Sequence, residues 1–364
     1  MAILFRAFIF KVLFVTHLLG ISALVSAETK VVVIPIFGEQ ASDIKNVVTV
    51  AKTGGDFTDP VAAMDSIKDA SASNPYLLAV GPGIFELSEV LVVKPHVNVA
   101  GSGQRATILT STDAGPSVTV SLTGIASGPL IQISGMTVRN ASGGVFCTAL
   151  SGYDGHGVLV KDVVLEAVGC TGQNTAIDMD TGSPELDNVI IKALGGQRAI
   201  GVYLGLGGLF SVNHSQIQVA GGSEYSAGFL GFDGWLQLRD SNVEVGSGPT
   251  QGVVYGIKHN SQNFTQNFRA QIINSTIMAE STATVPGNSY GVHGINGYEL
   301  DVRRSTVSGG TASIYLDASS NVNVSTSTLI GSASGGAGNS GVKQCVTTDN
   351  GSGDLLDGNC ALVP

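Results

Sequence analysis

Asp178 and Asp180, in the run Ile177-Asp178-Met179-Asp180, are the residues of this chain whose type and spacing best suit chemistry. Side chains two apart on an extended strand leave from the same face. Two carboxylates held together there can share a Ca²⁺ ion, which takes oxygen ligands. They can also divide the acid and base roles of glycosidic bond cleavage. Thr181-Gly182-Ser183-Pro184 follows directly and reads as a turn, so a solvated strand end is the simpler account of the pair. Tyr203 and Gln197-Arg198 follow about one repeat later and are its expected neighbours.

A second constellation is Lys258-His259 with His293, a base and an electrophile brought onto neighbouring coils. Its plainer reading is a polar outer face. Tyr203, Tyr225, Tyr255, Tyr290 and Tyr315 recur at similar intervals. Pointing outward they would form a ladder on which sugar rings stack; edge packing and turn filling are the alternative. The catalytic candidates are therefore Asp178, Asp180 and His293. The ligand-binding candidates are Tyr203, Lys258 and Tyr315, and the metal candidates are Asp178 and Asp180, with Ca²⁺ the ion they would suit.

These residues need a scaffold, and a recurring phrase supplies one: apolar, any, any, small or apolar, any, apolar. Its copies are Ile133–Met136–Val138, Val160–Val163–Leu165, Leu186–Val189–Ile191, Val212–Ser215–Ile217, Leu238–Ser241–Val243, Ile272–Ser275–Ile277, Val302–Ser305–Val307 and Val324–Ser327–Leu329. Their centres lie 27, 26, 26, 26, 34, 30 and 22 residues apart. A period of that size is one coil of a solenoid, and no single coil buries enough to be stable alone. The spacing predicts an all-β, right-handed parallel β-helix. The serine centres read as a turn column whose hydroxyls bond to backbone, since no histidine recurs beside them as a base.

A second strand type starts with Gly or Ala and then alternates. It is predicted to bury Ile177, Val202, Ile257 and Val292 while Asp178, Tyr203, Lys258 and His293 face out. Asp59-Pro60 is an N-cap followed by a first-turn proline, and Val61, Met64 and Ile67 share one face. A helix over 59–70 would close one end of the stack, where strand edges are otherwise unpaired. The predicted organisation is a leader over 1–27, an arm over 28–47, the β-helix over 48–340 and a C-terminal cap over 341–364.

The leader has Arg6 and Lys11, an apolar stretch, and Val25-Ser26-Ala27 as a small-residue cleavage site, which reads as a secretory signal peptide. Export to the periplasm or cell exterior suits the four cysteines. Cys147 and Cys170 are 23 apart, close to one coil, and are expected to pair, as are Cys345 and Cys360. No later segment is apolar enough to span a membrane as a helix. The formal net charge of −10 argues against nucleic acid as a partner. The 49 glycines, nearly twice the usual ~7%, and only 13% charged residues fit strands and turns.

Residues 48–110 carry a family resemblance. The stretches are Thr49-Val50-Ala51-Lys52-Thr53-Gly54-Gly55-Asp56-Phe57, Val61-Ala62-Ala63-Met64-Asp65-Ser66-Ile67, Val80-Gly81-Pro82-Gly83-Ile84-Phe85-Glu86 and Val97-Asn98-Val99-Ala100-Gly101-Ser102-Gly103. Together they resemble the start of pectin methylesterases, in the pectin-lyase-like superfamily. In that family this segment forms the capping helix and first coils. Glu86 comes one residue early relative to the family's Gly-x-Tyr-x-Glu. The family's catalytic motifs, including its Gly-Arg-Pro-Trp, are missing, and Trp235 stands in Asp233-Gly234-Trp235-Leu236. The resemblance therefore implies the fold without the activity. The expectation is a secreted, non-catalytic protein that binds polysaccharide or a cell-surface glycan. The alternative is a carbohydrate-active enzyme, pectin esterase-like or a polysaccharide lyase.

Overall fold

The computed structural model describes residues 46–112, 115–122, 131–152, 155–248, 252–260, 268–281, 288–295, 297–316, 320–331, 333–335 and 343–357. The expected leader, nearly all of the arm, and Cys360 lie outside them. Within them the chain is a right-handed parallel β-helix with three faces. Face 1 begins with Asn46–Val50 and Tyr76–Val80 and ends with Asn321–Ser325 and Lys343–Val346. Face 2 runs from Gly83–Glu86 through Ile190–Leu194 to Thr328–Ile330. Face 3 runs from Leu91–Val93 through Gln173–Met179 to Ala333–Gly335. Each strand pairs with its equivalent one coil away, so a column of equivalent residues repeats at about 4.8 Å.

The recurring phrase is the corner between faces 1 and 2. The residue just before each centre has a left-handed backbone: Asp162, Asn188, His214, Asp240, Asn274, Arg304 and Thr326 all have φ between 48° and 54°. The serine centres then stitch one coil to the next. Ser215, Ser241, Ser275 and Ser305 donate their backbone N–H to the hydroxyls of Ser241, Ser275, Ser305 and Ser327, at 3.0–3.2 Å. Each of those hydroxyls donates in turn to the carbonyl two residues before it, at 2.6–2.8 Å. Both hydrogen-bonding roles of each buried serine are filled, as a turn column requires.

Face 3 breaks simple alternation. Ala176 and Ile177, then Gly201 and Val202, Gly228 and Phe229, and Gly256 and Ile257 put two successive residues inward, and the side chains of this set are buried. The first of each pair has almost no room. A Cβ on Gly256 would lie 2.3 Å from Ile277 Cγ2 and 2.4 Å from the carbonyl oxygen of Gly291. Glycine at Gly201, Gly228 and Gly256 is thus a packing requirement of the double-inward step, and buried Ala176 is the small residue at the same place in its strand. Outward columns then fall at positions 173, 175 and 178 and their equivalents.

Three boundaries differ from the sequence expectation, the first being that the opening strand starts at Asn46, inside the predicted arm. The helix spans Pro60–Ser66, not 59–70; Asp59 is its N-cap and accepts from the N–H of Val61. Its end is fixed by Lys94, whose Nζ donates to the carbonyls of Met64 (2.7 Å) and Ile67 (2.8 Å). The predicted cap segment opens with another coil: Lys343–Val346 pairs in parallel with Val322–Ser325. Thr347 repeats the left-handed corner at φ 48°, and buried Thr348 takes the place of the serine.

Cys147 and Cys170 form a disulfide with Cα atoms 5.6 Å apart. They are not in register, because Asn174 lies opposite Cys147 and Cys170 sits four residues earlier, in the turn leading into face 3. Asn174 is fully buried; its amide bonds both the N–H and the carbonyl of Cys170 and so fixes that turn. Cys345 is also disulfide-bonded.

Candidate functional site

The outer surface of face 3 gathers most of the residues singled out in the sequence. Asp178 is paired in register with Tyr203, Tyr203 with Leu230, Leu230 with Lys258, Lys258 with His293, and His293 with Tyr315. All six predicted site residues except Asp180 therefore lie in one column, and Asp180 sits in the bend just after it. At the end nearer the N-terminus, Asp178, Asp180, Gln173, Arg198, Tyr203 and Tyr225 line a recess of about 580 Å³. Burial raises the Asp178 carboxyl above the usual carboxylate range, and the negative charge of Asp180 adds to the rise. Arg198 is committed to Glu224 through a 2.9 Å hydrogen bond and leans over Tyr225 at 5.7 Å.

The other half of the surface is aromatic. Tyr255 stacks on Tyr290, centroids 5.7 Å apart and 14° from parallel. His293 stacks on Tyr315 at 5.1 Å and meets Tyr255 and Tyr290 edge-on at 5.2 and 5.0 Å. Tyr225 meets Tyr255 edge-on at 6.5 Å. Lys258 Nζ lies over both of those rings, 5.1 and 4.5 Å from their centroids. Beneath this belt Ile200, Ala227 and Leu230 form an apolar patch outside the main core, against which Tyr203, Tyr225 and Tyr255 pack. The patch anchors the rings, which remain half-buried. Burial pushes the Tyr255 phenol up to about 12 and lowers the Lys258 ammonium from its ordinary value. The phenol thus stays a hydrogen-bond donor well above neutral pH.

Some expected groupings do not form. His293 lies four strands from Asp178, about 19 Å at 4.8 Å per strand, so it does not join the carboxylates. His259 does not accompany Lys258. It points inward, fully buried, stacked on Phe268 at 4.4 Å and near Tyr298 at 5.5 Å. Among the described residues no group of three or more His, Cys, Asp or Glu side chains is arranged to hold a metal. Asn260 ends a strand of face 3, while 261–267 lie outside the described residues. Ser121, Ser151 and Gln173 line the carboxylate recess without having been picked out, because no motif marks them.

No family model matches the sequence, and no curated protein matches it. Solved structures with a similar course of chain include pectin methylesterases. The enzyme from carrot is 13% identical, with a TM-score of 0.45, and the match covers 90% of each chain. The rice weevil enzyme is 13% identical, with a TM-score of 0.46, and the match covers 70% of this chain and 83% of that one. A mannuronan C-5 epimerase A-module from Azotobacter vinelandii is 12% identical, with a TM-score of 0.42, covering 80% and 91%. Each of these likenesses is one of chain course alone. No helix among the described residues is long and apolar enough to cross a membrane.

Proposed function

We propose that this chain is an exported glycan-binding protein that holds a polysaccharide along face 3 without cleaving it. The observation that carries this reading is the belt of Tyr225, Tyr255, Tyr290, His293 and Tyr315, spread over successive coils and bridged by Lys258. Sugar rings present apolar C–H faces and hydroxyl edges. Half-buried phenols match both, with a ring to stack on and an O–H to donate, and burial holds those of Tyr225, Tyr255 and Tyr290 in the protonated form. The ladder runs along the solenoid axis, the direction in which a long polymer can be followed. Export is supported by the leader-like sequence over 1–27 and by the Cys147–Cys170 disulfide.

A second reading, a carbohydrate-active enzyme, is favoured by one observation. Asp178 is a half-buried carboxyl held toward its protonated form beside Asp180, as a general acid would be. A glycan-array and substrate screen of the folded chain, with and without Ca²⁺, separates the two readings. Binding without product release, weakened roughly tenfold in a Tyr290→Ala/Tyr315→Ala variant, is the expected result. Product release that disappears in Asp178→Asn would establish the enzyme instead. Neither binding nor product release from a folded sample would refute both.

A further inference from the structure

Face 1 carries a second recess, of about 440 Å³, on the far side of a turn from the aromatic belt. That volume lies within the ~300–1,000 Å³ usual for small-ligand sites. Two outward columns build it. In one, Trp235, Arg269, Glu299 and Asn321 follow one another in register; in the other, Gln271, Asp301 and Asn323 do. Four coils contribute, with register partners 22 to 34 residues apart in the chain. Trp235, the single tryptophan, is 38% exposed although indoles are mostly buried on average. Arg269 lies over its ring at 5.9 Å.

The charges of the recess are closed among themselves. Arg269 is ion-paired with Glu299. Asp301 is ion-paired with Arg303 at 2.7 Å and also accepts from Gln271 at 3.3 Å. What remains is an aromatic plate beside a row of amide and carboxylate groups with no net charge to satisfy. An anion would have to displace Glu299 or Asp301 from its arginine, against a chain of net charge −10. A protein partner of ordinary size needs about 800 Å² of surface around an apolar centre. Here Trp235 is the one large apolar side chain of the lining that reaches the surface, since Ala270, Leu300 and Val322 are buried.

We infer that this recess is a binding site for a neutral oligosaccharide, with the Trp235 indole under a sugar ring and Gln271, Asp301 and Asn323 on its hydroxyls. It is separate from the belt on face 3 and does not depend on that belt's function.

The single tryptophan makes the test specific, because its fluorescence reports this recess and no other. The full chain is titrated with an array-derived panel of neutral hexasaccharides and with hexagalacturonate as the anionic control, following Trp235 emission. A saturable change with at least one neutral sugar is expected. The apparent Kd should rise roughly tenfold in a Gln271→Ala/Asn323→Ala variant, equivalent to losing two hydrogen bonds. The Tyr290→Ala/Tyr315→Ala variant should leave the titration unchanged, which separates this site from face 3. No response to any neutral sugar, a response to hexagalacturonate alone, or an unchanged Kd in the double amide variant would overturn the inference. So would an emission change that follows protein concentration with a rise in mass by light scattering, since that would make the recess a contact between copies. Circular dichroism confirms that each variant folds.

Discussion

Replacing Ser241 by alanine removes one oxygen from the corner column, and its consequence can be worked out atom by atom. The Ser241 hydroxyl accepts from the Ser215 N–H at 3.0 Å and donates to the Arg239 carbonyl at 2.6 Å. The carbonyl keeps a partner, because the His214 N–H also reaches it at 3.1 Å. The Ser215 N–H loses its hydroxyl acceptor in a site where Ser215 is 2% exposed. One orphaned buried donor costs about 1–3 kcal/mol, a factor of roughly 5 to 150 in an opening equilibrium. A solenoid need not unfold in one step, so a global midpoint would blur the effect. Native-state hydrogen exchange at the Ser215 amide reads it directly. Ser241→Ala should speed that amide by the stated factor, Ser241→Thr should restore most of the protection, and Ser308→Ala on the outside of face 2 should leave it alone. Unchanged exchange at Ser215 in Ser241→Ala would refute the argument that the hydroxyl is its acceptor and that the column holds coils together.

Breaking the Cys147–Cys170 bridge by Cys147→Ser/Cys170→Ser frees a loop of about 24 residues, and chain entropy puts the loss near 3 kcal/mol; a lowered melting temperature in a thermal scan checks it. Gly256→Ala should destabilise by about 1–3 kcal/mol through overpacking against Ile277 and the Gly291 carbonyl, read as a lower denaturant midpoint. Asp178 has its folded pKa raised, so its contribution to stability is fully present below the unfolded carboxylate pKa of about 3.9 and is lost as pH rises through the folded value. Asp178→Asn should therefore be at least as stable as the parent at pH 7 and should flatten the acid side of the stability profile, measured as unfolding midpoint against pH.

The coil and its corner were legible because the same phrase returns with the same centre, and serine at Ser215 through Ser327 has only one sensible structural use. The left-handed residue before each centre was not legible. Asp162 and Asn188 are types that tolerate positive φ, but His214, Arg304 and Thr326 occupy the same place and mask the column. The helix end is not legible in its own segment because Lys94, the group that caps it, lies 27 to 30 residues downstream. The outward run Asp178, Tyr203, Lys258, His293 was readable from the small residue that precedes each strand. The distance between its members was not, since sequence separation does not say how many coils intervene. The Trp235 recess was invisible for a related reason: its residues come from four coils and meet only in register.

The division of labour between corner and faces explains why two outer surfaces can differ so much on one scaffold. Register between coils is held by backbone ladders, by the buried serine column and by inward apolar columns, none of which uses an outward side chain of face 1 or face 3. Outward positions are therefore free of that duty and can take Asp178, Lys258 or Trp235 without loss of the coil. Where an outward residue does carry structural load, the load is local. Tyr203, Tyr225 and Tyr255 cover Ile200, Ala227 and Leu230, a patch that would otherwise lie open to water. This makes the belt partly self-supporting, and it sets a constraint on its variants. Removing Tyr290 or Tyr315 should alter ligand contact alone, whereas removing Tyr225 uncovers apolar surface and mixes a folding cost with the binding loss. Binding energetics of face 3 are for that reason best read from the 290 and 315 positions.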